Sequence, residues 1–127
     1  MEPEEKAKKW SKISFHYNFR MTTDDGETAI NDAIIQLLIA IDDYGTLQQA
    51  TKVLNVSYRK AWGDLKATED ILGFSLIDKK RGGKDGGTTI LTDDGKILVN
   101  AYAEFREEFQ TSVNNAIIKF KKTLKHS

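Results

Sequence analysis

The stretch from Gly45 to Thr92 constrains the chain more than any other. Two short runs of helical apolar spacing meet there across a tight turn and lead directly into a glycine-rich basic hairpin. The first run opens at Thr46, whose hydroxyl can accept from an otherwise unpaired backbone N–H, and Gln49 stands where a capping box needs it. Leu47, Ala50, Val53 and Leu54 then recur on one face. Asn55 tolerates the left-handed conformation that ends a helix, and Val56 supplies an apolar plug for the turn. Ser57 is the natural N-cap of the second run, whose inner stripe is Ala61, Leu65, Thr68 and Leu72. At 100° per residue that stripe leaves Arg59, Lys60, Gly63, Lys66 and Ala67 facing out.

Gly73 ends the second helix, and Ser75 to Asp78 with Thr88 to Leu91 read as two strands around a tip carrying Lys79, Lys80, Arg81 and Lys84. Helices over 46–55 and 57–72 followed by a hairpin over 75–91 predict a winged helix-turn-helix in a mainly α chain with a small β component. In that arrangement the second helix enters a DNA major groove while the hairpin grips phosphate. Arg59 and Lys60, in its first turn, are the candidates for reading base edges. Ser57, Lys66, Arg81 and Lys84 are the candidates for phosphate, with Gly82, Gly83, Gly86 and Gly87 allowing the backbone a close approach. Tyr58 joins this interface; it and Trp62 either pack against the wing or a neighbouring helix, or stack on nucleic acid. The bland alternative for the tip is a solvated hairpin, but its place directly after the helix pair favours contact with double-stranded DNA.

The motifs resemble the N-terminal DNA-binding domain of ModE-type molybdate-responsive regulators, within the wider LysR-like winged-helix group. Ser57-Tyr58-Arg59-Lys60-Ala61-Trp62 is similar to the family's Ser-Tyr-Lys-x-Ala-Trp. The wing Gly82-Gly83-Lys84-x-Gly86-Gly87 and the exit Leu91-Thr92 match as well, and the resemblance extends over about three quarters of the chain. It departs at Arg59, which keeps the charge, and at Asp85 and Thr88, where the family often has glycine. It implies a transcriptional regulator. The oxyanion-binding β-barrel modules of such regulators have no counterpart in these 127 residues, so no molybdate site and no cofactor is expected here.

Around this unit the apolar pattern suggests two flanking elements. Ile13, Phe15, Tyr17, Phe19 and Met21 alternate with polar residues and predict an N-terminal strand over 13–21, while Met1 to Lys9 is charged and expected to fray. A first long helix is predicted over 28–44, where Ile35 and Ile39 widen the apolar stripe beyond one small core; either they meet another chain or the N-terminal strand covers them. A second is predicted over 93–124, opening at the N-cap Thr92 with Asp93 and Asp94 in its first turn. At 1.5 Å per residue it spans roughly 48 Å. Phe105, Phe109, Val113 and Phe120 step along one seam, and this is read as a dimerisation helix, the alternative being a helix folded back on its own domain. A homodimer on an inverted-repeat operator follows. The whole, 1–127, reads as one domain.

Composition narrows the remaining classes. The absence of cysteine excludes disulfides, thiolate metal sites and a thiol nucleophile. No apolar run is long enough for a signal peptide or membrane span, so a cytoplasmic protein is expected. Formal charge is zero overall but segregated. Asp24 to Asp43 holds six acids and no base, Gly45 to Thr92 eight bases against five acids, and Lys119 to Ser127 four lysines that either touch phosphate or keep the helix end soluble. His16 and His126 alone make no metal site, and Asp24-Asp25-Gly26-Glu27 lacks the ligand spacing of an EF-hand and reads as a solvated turn. Gly83-Lys84 has only a superficial likeness to a P-loop, and no catalytic grouping stands out, so an enzyme is not expected. The rival readings are a winged-helix module for protein–protein interaction and a nonspecific DNA-binding protein.

Overall fold

The computed structural model describes residues 2–80 and 87–126, in the order α1 (Pro3–Lys9), β1 (Arg20–Thr22), β2 (Thr28–Asn31), α2 (Asp32–Tyr44), α3 (Leu47–Leu54), α4 (Tyr58–Leu72), β3 (Ile77–Lys80), β4 (Thr88–Leu91) and α5 (Asp93–Lys125). Although the sequence reads as one domain, its contacts fall into two compact units, Asn18–Tyr102 and a second formed by Met1–Tyr17 with Ala103–Ser127.

The larger unit is organised by α2, which begins later than the apolar spacing predicts. Asn31 adopts an extended conformation and its side chain accepts from Ile34 N at 3.1 Å, so the helix is capped there. Residues 28–31 instead form β2, pairing antiparallel with β1 in the register Arg20↔Asn31, Met21↔Ile30 and Thr22↔Thr28. The turn between them is closed by Gly26 N donating to Thr23 O and Thr23 N donating to Glu27 O, both at 2.9 Å. Asp25 accepts from the Thr23 hydroxyl and from Glu27 N, and the Thr23 bond above all holds its carboxyl below the ordinary 3.8. The Asp25 carboxylate thus serves the turn.

Ile34, Ile35, Leu37, Leu38, Ala40 and Ile41 are all buried, far more than one stripe of a helix. The reason is that α2 is packed by α3, α4, β2 and β4 of its own chain. Ile35, expected at a dimer contact, is 1% exposed and has no surface to offer a second chain; Ile39 is half-buried against the same core. The apolar width that suggested a partner is consumed inside the unit. Leu47 and Ala50 from α3, Leu65 from α4, and Leu76 and Leu91 at the hairpin complete this core, each buried leucine contributing about 1.5–3 kcal/mol of transfer free energy.

The β3–β4 hairpin is tied to this core at its base. Thr89 N donates to Gly45 O at 2.8 Å and the Thr89 hydroxyl accepts from Leu47 N at 3.2 Å, which joins β4 to the turn between α2 and α3. Thr92 N donates to Leu76 O at 2.9 Å, and the Thr92 hydroxyl donates to Ser75 O at 2.8 Å while accepting from Gly95 N at 3.1 Å, capping α5 as predicted. Gly95 is buried against this junction. Further along α5, the buried Tyr102 shares a hydrogen bond with Asp32 at the start of α2.

The alternation over 13–21, which runs from the smaller unit into the larger, does not become a strand before Arg20. A ladder needs a second backbone to receive its hydrogen bonds, and β2 offers only four residues. Residues 13–17 use their alternating rings on α5 instead: Phe15 meets Phe120 edge to face at 5.5 Å, and Tyr17 lies against Phe109 at 5.7 Å between centroids. The charged N-terminus, expected to fray, forms α1 with proline in its first turn.

Candidate nucleic-acid interface

The turn into α4 is built from local chemistry. Asn55 takes φ 56° and donates its N–H to Lys52 O, Val56 N donates to Thr51 O at 3.0 Å, and the Ser57 hydroxyl accepts from Lys60 N at 3.3 Å. Val56 does not fill the turn; like Val53 and Tyr58 it is exposed. Helix α4 buries Ala61, Leu65, Thr68 and Glu69, which turns Ser57, Tyr58, Arg59, Lys60, Gly63, Lys66 and Ala67 outward. The base-reading candidates therefore sit together on the exposed first turn.

Their charges are not equally free. Lys60 pairs with Asp64 at 2.8 Å, an exposed i,i+4 bridge worth less than about 1 kcal/mol and readily exchanged for a phosphate or base. Lys66 is held more firmly, 3.1 Å from Glu69 and 4.5 Å from the centre of the Trp62 ring. Trp62 and Tyr58 both meet the wing strand, although Tyr58 keeps an exposed face. Lys79 of β3 stands 4.0 Å over the Trp62 ring and 5.4 Å over that of Tyr58, and donates to the Tyr58 hydroxyl at 2.8 Å.

β3 and β4 pair in the register Ile77↔Leu91, Asp78↔Ile90, Lys79↔Thr89 and Lys80↔Thr88. Lys80 and Gly87 are exposed at the open end of this ladder. The remaining wing candidates, Arg81, Gly82, Gly83, Lys84 and Gly86, lie outside the described residues.

Sequence reasoning missed Glu69 and Lys79. Glu69 is buried, and its Oε2 accepts from Leu76 N at 2.6 Å and Ile77 N at 3.3 Å, fixing the entry to β3. Its position next to Thr68 on the inner stripe was the available signal. Lys79 was counted only as a tip cation, although the two-residue period of a strand places it on the face of the buried Ile77.

In the smaller unit the seam candidates differ in exposure. Phe105 stacks on Phe109 at 6.0 Å; Phe105 and Phe120 are 51% and 47% exposed, and Phe109 and Val113 are half-buried. Among the described residues no group of three His, Asp or Glu side chains is placed to hold a metal ion, and no helix is long and apolar enough to cross a membrane.

No family model matches the chain. Curated relatives do. The chain is 35% identical over 96 residues to the molybdenum transport protein ModE of Azotobacter vinelandii, covering 75% of this chain and 36% of that protein. It is 38% identical over 68 residues to the transcriptional regulator ModE of Haemophilus influenzae, covering 54% of this chain and 27% of that protein. It thus spans about a third of the length of these relatives. Among solved structures, the DNA-binding domain of CbnR, crystallised with DNA, superposes with a TM-score of 0.56 at 21% identity over 71% of this chain and 98% of its own, a likeness of fold alone. The chain is a homologue of one segment of the ModE proteins, and it carries the winged helix-turn-helix fold with a long C-terminal helix.

Proposed function

We propose that the chain is a sequence-specific DNA-binding transcriptional regulator. The carrying observation is the exposed first turn of α4, where Ser57, Tyr58, Arg59 and Lys60 project beside a hairpin bearing Lys80. Arg59 and Lys60 read base edges in the major groove; the wing, including Arg81, Lys84 and the glycines Gly82, Gly83, Gly86 and Gly87, follows the backbone. Regulators among the relatives and a DNA complex among the structural neighbours support this reading. The protein acts as a homodimer through the aromatic seam of Phe105, Phe109, Val113 and Phe120, whose exposed rings a second copy would cover. Two α4 helices would then reach half-sites roughly 34 Å apart or a multiple of that spacing. The reading makes it a cytoplasmic protein without catalysis, and no molybdate site is assigned to these residues.

The test is selection of bound duplexes from a random library. An inverted repeat with half-sites one turn apart is the expected result. A pool without a motif, bound with steep salt dependence, would reduce the protein to a nonspecific binder. The exposed apolar group Val53, Val56 and Tyr58 favours one rival, a protein-interaction module, and absence of duplex binding would shift the weight there.

A further inference from the structure

The polar and aromatic groups that join α4 to β3 form one continuous line. Residues 58, 62, 66 and 69 of α4 fall within about 80° of one another around the helix. From one end, Glu69 accepts from Leu76 N and Ile77 N and pairs with Lys66; Lys66 stands over Trp62; Lys79 stands over Trp62 at 4.0 Å and donates to the Tyr58 hydroxyl. Both edges of the seam are thus anchored: the base of β3 through a buried carboxylate, and its outer part through an ammonium held by two rings and a phenol oxygen. Two ammonium groups lie within 4.5 Å of one indole centroid, an arrangement that the ring's negative face and the Glu69 carboxylate make tolerable.

We propose that Lys66 and Lys79 are positioning residues that lock the wing strand to the recognition helix, rather than contacts to phosphate. This rests on the DNA-binding reading above and assigns two of its cations a different task. The strand supports the division. Lys79 shares the face of the buried Ile77, whereas Lys80, one residue on, lies on the opposite face. Lys80 is therefore the lysine of this pair left to meet a phosphate. A locked β3 holds Lys80 at one distance from the groove that α4 occupies, so loosening the seam weakens binding to every sequence without changing how many counterions leave the DNA.

The experiment compares the wild-type chain with Lys79→Met, Lys79→Arg, Lys66→Met and Lys80→Met. Binding to duplex DNA is titrated across salt concentrations, and Trp62 emission is read in a Trp10→Phe background. Losing one phosphate contact flattens the slope of log K against log salt by about 0.9. Lys80→Met is expected to show that change. Lys79→Met and Lys66→Met are expected to lose about five- to thirty-fold in affinity with an unchanged slope and a shifted Trp62 emission, and Lys79→Arg to restore both. A slope reduced by about 0.9 in Lys79→Met with unaltered emission would overturn the proposal, as would a lowered Tm with affinity intact. If the wild type binds no duplex, the DNA-binding reading fails. Emission then still decides the seam: a shift in Lys79→Met upholds the lock between helix and strand, and no shift overturns it.

Discussion

Two glycines of this fold should respond to the same substitution with opposite signs. Gly95 is buried in the first turn of α5, and a methyl group added there would land on the carbonyl of Leu76, with the Leu76 carbonyl carbon at 3.2 Å and Leu91 Cβ at 3.3 Å. Leu76 O cannot swing aside, because it accepts from Thr92 N at 2.9 Å and belongs to a fully buried residue. Either the first turn of α5 or the exit of the hairpin must shift. Such overpacking costs about 1–3 kcal/mol, and against backbone the upper end applies; the helix propensity gained by alanine returns about 1 kcal/mol. Gly95→Ala should therefore destabilise by about 2 kcal/mol. Gly63 is exposed in the middle of α4, with nothing beyond its chain neighbours and its own helix backbone within 4 Å of the added carbon. There the propensity gain stands alone, and Gly63→Ala should stabilise by about 0.5–1 kcal/mol.

Thermal and urea unfolding followed by circular dichroism measure both. Gly95→Ala should lower Tm by on the order of 10 °C and Gly63→Ala raise it by a few degrees, with m-values unchanged. The close approach of α5 to the hairpin would be refuted if Gly95→Ala were as stable as wild type. The opposite outcome at Gly63, a loss of stability, would mean that its outward face is packed in the folded protein.

Glu69→Ala removes the acceptor of two buried amides and should cost about 2–5 kcal/mol, read as a lower urea midpoint and faster hydrogen exchange at Leu76 and Ile77; unaltered exchange there would contradict the capping role. Arg59→Ala should lose about 1–3 kcal/mol on a selected operator and little on a scrambled duplex, and an equal loss on both would make Arg59 a phosphate contact. Phe109→Ser should halve the mass measured by sedimentation equilibrium in analytical ultracentrifugation, while a persistent dimer would place the interface elsewhere. Thr23→Val should raise the Asp25 carboxyl toward 3.8 in an NMR titration. Because the folded-state pKa is the lower one, the stabilising contribution is present above the ordinary carboxylate range and lost as pH falls through the depressed value; an unmoved titration would remove the Thr23 hydroxyl as its cause.

The helix pair was legible because its determinants are local. Thr46, Asn55 and Ser57 each act within three residues, and their hydrogen bonds follow from side-chain type and position. The elements that were misread depend on a partner the pattern cannot name. Alternation over 13–21 reported a chain with one apolar side, which could serve a ladder or a helix, and the rings of Phe109 and Phe120 took it. The apolar width of α2 reported many neighbours without saying whose, and Ile35 found them in its own chain. At the interface the difficulty is the lysine side chain itself. Its long apolar stem lets a formal charge written on an outer face turn back onto a ring, as Lys66 and Lys79 do at Trp62. Counting cations therefore overstates how many are free for phosphate. The face of the element discriminates better: Lys79 follows Ile77 by two residues and Lys80 by three, so the same basic dipeptide sends one charge toward α4 and the other away from it.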